Sequence, residues 1–136
     1  MLWIDAVAGG HARVSDDDYL EGSPELIVEV AASSASYDLH VKREAYRRNG
    51  VQEYVVWRVY DRQVDWFRLE NGQYVTVSAD AEGVMHSRVF PGLRLAVSAL
   101  LSSDLAHVLA ELQKGLASAE HRAFVETLTV AMRTQP

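Results

Sequence analysis

Pro24-Glu25-Leu26-Ile27-Val28-Glu29-Val30-Ala31, followed by the turn Ser33-Ser34-Ala35-Ser36 and the stretch from Tyr37 to Arg48, decides how this chain is read. From Leu26 to Ala32 every residue is apolar except Glu29. A run that is apolar on both faces predicts an interior strand covered from both sides. Burying an isolated carboxylate costs several kcal/mol, so Glu29 requires a cation, a proton or a metal beside it.

The next stretch supplies a cation. A helix starts near Ser36, where Ser36 or Asp38 can cap the free amides. At about 100° per residue, Leu39, Val41, Ala45 and Tyr46 define one apolar arc. Lys42 falls inside that arc, with Asp38 one turn earlier on the same side. Arg43, Glu44, Arg47 and Arg48 fall on or near the opposite, solvated side. A lysine and a glutamate aimed at one core make either a structural ion pair or a catalytic pair, and the spacing fits both equally.

Pro24 to Val30, then Ser33-Ser34, Asp38, Lys42 and Tyr46, then Gly50-Val51-Gln52-Glu53-Tyr54, resemble in that order the signature of the Uma2 proteins. The likeness continues through Phe90-Pro91-Gly92-Leu93 and covers about Tyr19 to Leu101. The Uma2 family is assigned to the PD-(D/E)xK, restriction-endonuclease-like superfamily of endonucleases. The resemblance implies an α/β fold of that kind: a mixed central sheet with an antiparallel meander, flanked by helices. It also implies a Mg²⁺- or Mn²⁺-dependent phosphodiesterase acting on nucleic acid, with DNA the favoured substrate.

In such a site one acid comes from an earlier strand, a second from the strand just quoted, and a lysine from the helix after it. Glu29 matches the second acid, a metal ligand, and Lys42 matches the lysine, with Asp38 and Tyr46 in support. The usual lysine position falls at Ala31, so the site depends on Lys42 taking that role from the helix. The first acid, the Asp of a Pro-Asp pair, falls before Met1, because Leu2-Trp3-Ile4 reads as the rest of its strand. An upstream start, a trimmed chain and a degraded copy all fit this departure. Asp5, near the end of that strand, is the best internal substitute as a metal ligand. The alternative function is a non-catalytic DNA-binding or interaction module that keeps Glu29 and Lys42 as a buried ion pair.

Glu25 shares a strand face with Glu29, but four residues at about 3.3 Å separate them by roughly 13 Å. Two ligands of one ion, each at about 2 Å, must lie far closer. Asp16-Asp17-Asp18 reads as a solvated turn, since consecutive loop residues rarely converge on one ion. The five histidines show no paired ligand spacing.

A chain of 136 residues predicts one domain, residues 1–136, with a helical C-terminal part over 103–133. With 49% hydrophobic and 24% charged residues the composition is that of an ordinary soluble protein. No apolar stretch approaches the roughly 18 residues of a membrane span, and no basic-then-apolar leader opens the chain. With no cysteine there is no disulfide, thiolate zinc site or thiol nucleophile. A cytoplasmic location is expected. The net charge of −6 argues against tight non-specific nucleic-acid binding, which draws on phosphate neutralisation. Arg43, Arg47, Arg48, Arg58 and Arg62 would have to form a local patch against that sign, and a solvated face is the stronger reading.

Asn49-Gly50 stops the helix. Strands are expected over 51–60, 64–69 and 73–77, turned by Asp61-Arg62 and by the hairpin pair Asn71-Gly72. Trp57, Trp66 and Phe67 are expected to pack rather than stack on bases. A short edge strand over 84–89, the turn Pro91-Gly92 and one helical turn at 98–101 lead to two helices. The first runs from about Ser103 to Lys114 with Gly115 as its stop, and the second starts near Ser118. Their apolar stripes suit the sheet or a second subunit in a homodimer.

Overall fold

The computed structural model describes residues 1–32 and 37–134, without the side chains of Tyr37 and Asp38. The capping roles expected of Ser36 and Asp38 lie outside what is described. A 3-10 turn at Ala6–Ala8 precedes β1 (Ala12–Val14), β2 (Leu20–Gly22), β3 (Leu26–Ala31) and α1 (Tyr37–Arg48). Then come β4 (Glu53–Arg58), β5 (Gln63–Glu70), β6 (Gln73–Thr76), β7 (Val84–His86) and β8 (Arg94–Ala96). The chain closes with α2 (Val97–Leu101), α3 (Leu105–Leu116) and α4 (Ala119–Thr134).

The main sheet has the order β3-β4-β5-β6. β3 and β4 are parallel and the other two pairings antiparallel. A parallel pair needs a crossover, and α1 is that crossover. The mixed sheet, its meander and the flanking helices are the architecture the sequence implied.

Period-two alternation sorts the strands onto two faces. Leu26, Val55, Val64, Trp66 and Met85 form the core of one face, with Leu93, Leu95, Leu100 and Leu101 packed against them from the turn before β8, from β8 and from α2. Trp57 and Trp66 belong to this packing, as expected. The opposite face lies under α1 and carries Glu29 with Tyr54, Val56 and Phe67. The two faces do different work.

β3 is not the interior strand that its composition predicted. It stands at the edge of the four-stranded sheet, with only Leu2, among the described residues, bridged to its far side. Leu2 and Leu26 exchange two backbone hydrogen bonds, at 2.8 and 3.1 Å, and the expected first strand amounts to this one bridge. Val28 and Val30 are therefore 50% and 66% exposed. Their apolar character has another source: they border a groove shared with Leu2, Trp57, Val108 and Leu112.

The stripe of α1 that meets the sheet is rotated from the expected arc. It runs Leu39, Lys42, Arg43, Tyr46, at spacings of three and four. Val41 is exposed, while the Arg43 guanidinium lies 5.2 Å above the centroid of Phe67. An aromatic floor accepts a guanidinium by cation–π attraction, so formal charge misplaced Arg43.

Two further differences concern turns. β1 and β2 pair as a hairpin where a polar connection was expected, with the Asp16-Asp17-Asp18 turn at its tip. Gly115 does not stop α3 but lies inside it, buried, and the helix is capped at Ala117. Its missing side chain serves close packing against Gly92 instead.

Candidate active site

Glu29 points from β3 toward α1, and three donors from two elements surround its carboxylate. Lys42 Nζ stands 3.2 Å from Oε1. The Tyr46 hydroxyl, one turn further along α1, donates to the same oxygen at 2.7 Å. From β4, the Tyr54 hydroxyl donates to Oε2 at 3.2 Å. The sequence places these groups simply. Lys42 and Tyr46 share the inner stripe of α1, and Tyr54 pairs with Ile27, two residues before Glu29 on an adjacent parallel strand.

The carboxylate is only partly withdrawn from water. The Glu29 side chain is 18% exposed and that of Lys42 40%. A pair open to this degree is screened, so it contributes little to stability as an ion pair. Its second carboxylate oxygen, with one donor, retains capacity for another partner.

The tyrosines are held as rings as well as hydroxyls. Tyr46 and Tyr54 meet edge to face at 5.1 Å between centroids, and Tyr54 stacks on Phe67 at 6.1 Å. Burial, and then the negative charge of Glu29, push the Tyr54 phenol well above its ordinary range. It therefore remains a donor at every working pH. Tyr74, whose hydroxyl donates to Val51 O at 2.8 Å, is pushed up to about 12 by burial.

Glu29, Lys42 and Tyr46 are thus brought together, as the sequence anticipated. Asp5 is not brought to them. Its carboxylate accepts from Val7 N at 3.0 Å and caps the 3-10 turn. Because Leu2 and Leu26 pair antiparallel, Asp5 and Glu29 run away from that bridge in opposite directions. Ile4 N is bonded to the side chain of Glu25, on the other side of Leu26 from Glu29, and Asp5 itself bridges Ala12 of β1. The side chain of Asp38 lies outside what is described. Tyr54 was not singled out as a site residue, although its position two residues from Val56 puts it on the α1 face.

Two other carboxylates are fully buried and serve the scaffold. Glu25 accepts from Ile4 N at 2.7 Å and from His11 N at 3.0 Å, which ties the N-terminal segment to the start of β3. Glu53 accepts from Ser87 Oγ and Arg88 N, each at 2.7 Å, with Arg68 Nε 3.5 Å away. Among the described residues, no three histidine, aspartate or glutamate side chains form a group suited to a metal ion.

The model of the Uma2 family, described as "Putative restriction endonuclease", matches residues 1–98. The chain belongs to the Uma2 family. No curated protein matches it. The Uma2 match ends after β8, so the geometry around Glu29 lies wholly within it and α3 and α4 lie beyond it. Membership gives the chain a nuclease character in general terms. Among the described residues, no helix is long and apolar enough to cross a membrane.

The donor set can be weighed against the divalent ion that restriction-endonuclease-like families use. A hard cation such as Mg²⁺ keeps several waters and is bound through one or two carboxylates plus substrate phosphates. Glu29, through Oε2, fits as one such carboxylate. The described residues supply no second.

Proposed function

We propose that this Uma2 protein hydrolyses nucleic-acid phosphodiester bonds, DNA foremost, with a Mg²⁺ or Mn²⁺ ion held through Glu29. The observation that carries the reading is the half-open Glu29–Lys42 pair, 3.2 Å apart, facing the sheet side of α1. An ion bound at Glu29 would supply Lewis-acid polarisation of the phosphate and a more acidic water. Glu29 binds and orients. Lys42 holds its ammonium beside the place where negative charge grows on the phosphoryl oxygens, and stabilises it there. Tyr46 keeps Oε1 aimed at Lys42. In the net reaction water loses a proton and attacks phosphorus, one P–O ester bond breaks, and the leaving oxygen takes up a proton.

A second reading, a non-catalytic interaction module of the same fold that does not grip nucleic acid, draws support from the arginines. Arg58 is paired with Asp61 and Asp65, Arg47 with Glu44 and Gly72 O, and Arg62 with Leu101 O. These intrachain partners weaken the case for a broad phosphate-binding patch.

A nicking assay on supercoiled plasmid with Mg²⁺ or Mn²⁺ separates the two. Metal-dependent cleavage by the chain, or by a version extended upstream of Met1, that disappears in Lys42→Ala and in Glu29→Gln supports hydrolysis. Folded protein that cuts under neither metal in either version overturns it.

A further inference from the structure

Glu29 does not meet its donors symmetrically. Oε1 takes both groups that α1 provides, the Lys42 ammonium and the Tyr46 hydroxyl. Among the described residues, Oε2 takes only the Tyr54 hydroxyl, which comes from β4 and not from the helix. We infer that the two tyrosines divide the carboxylate between two tasks: Tyr54 is a positioning residue that aims Oε2 as the metal-ligating oxygen, and Tyr46 is one that holds Oε1 for Lys42. This inference rests on the metal-dependent reading proposed above.

The geometry favours this division on three counts. A carboxylate oxygen with one donor keeps a lone pair for a cation, whereas one already facing an ammonium and a hydroxyl presents a cation with a like charge. Tyr54 is firmly fixed: the residue is 1% exposed and its ring contacts Tyr46, Phe67 and Tyr74. A second donor that fixes the orientation of a ligating group typically matters about 10- to 100-fold in metal affinity or activity. Finally, β4 is bonded to β3 along its whole length, so the Tyr54 hydroxyl keeps its place relative to Glu29 even if α1 shifts.

Mn²⁺ binding, followed by electron paramagnetic resonance without nucleic acid, tests the inference directly. Tyr54→Phe is expected to weaken Mn²⁺ binding about 10-fold, and to raise the Mn²⁺ concentration that half-saturates nicking by the same factor. Tyr46→Phe is expected to leave Mn²⁺ binding within about twofold while lowering the turnover at saturating metal. Far-UV circular dichroism checks that each variant folds. Equal Mn²⁺ affinity in wild type and Tyr54→Phe overturns the inference and leaves the metal-dependent reading standing. Loss of Mn²⁺ affinity in Tyr46→Phe comparable to that expected for Tyr54→Phe also overturns it, and this arm decides the matter if Tyr54→Phe does not fold. Protein that binds no Mn²⁺ either as the present chain or in the version extended upstream of Met1 overturns both the reading and the inference.

Discussion

Gly115 in α3 presses its backbone against the carbonyl oxygen of Gly92, so that a Cβ built at Gly115 would stand 1.9 Å from that oxygen. A Cβ at Gly92 would stand 2.7 Å from Gly115 O, and Gly92 also has φ +95°. The turn after β7 and the third helix can meet only because neither residue has a side chain. Gly115→Ala is therefore expected to destabilise the fold by about 1–3 kcal/mol, as overpacking does. Urea unfolding measures this, and an unchanged midpoint would show that the contact is looser than described.

Ser87 anchors the same turn from the other side. Its hydroxyl donates to the buried Glu53 carboxylate at 2.7 Å and accepts from Phe90 N at 2.9 Å. Ser87→Ala removes one donor from a carboxylate that is 0% exposed. A cost of about 1–3 kcal/mol follows from leaving a buried acceptor short of a partner. A loss well below 1 kcal/mol in chemical denaturation would mean that Arg88 N and Arg68 satisfy Glu53 without it.

Lys42→Met separates catalysis from stability. Lys42 is 40% exposed, so removing its charge is expected to change unfolding free energy by less than about 1 kcal/mol. Removing a charge-stabilising group from the site is expected to slow cleavage by about 100-fold or more. The opposite pattern, lost stability with cleavage intact, would place Lys42 in the scaffold.

Tyr54, buried, and Tyr74, half-buried, set an alkaline limit. Tyr74 is raised from 10.0 to about 12 and Tyr54 is raised as well, in both cases chiefly by burial. The folded chain then holds these protons where the unfolded chain releases them. Their contribution is complete below about pH 10 and is lost as pH rises through the folded values, beginning between about 10 and 12. Stability measured across that interval should fall with pH, and fall less steeply in Tyr74→Phe. An equal slope in that variant would assign the alkaline loss elsewhere.

Much of this was legible in the sequence because it rests on local spacing. Glu29 betrays itself as the one charge in an apolar strand, and Lys42 follows on a helix whose period puts it on the same side. What was not legible depends on partners distant in sequence. Arg43 reads as a solvent residue until Phe67 is brought beneath it from β5. Gly115 reads as a helix stop until Gly92 is laid against it. Tyr54 shows its strand and its face, but not that its hydroxyl reaches Glu29. The exposed edge of β3 was hidden because apolar composition tells which side chains avoid water, not which strand has a neighbour on both sides.

That edge has a consequence for the site. Glu29 sits between Val28 and Val30, and along a strand successive side chains emerge from opposite surfaces. The carboxylate and the two valines thus share one peptide segment, with the Lys42 and tyrosine donors above it and an apolar channel below. Anything that wedges into the channel and lifts this segment would carry Glu29 and, through the β3–β4 ladder, Tyr54 with it, away from Lys42 and Tyr46 on α1.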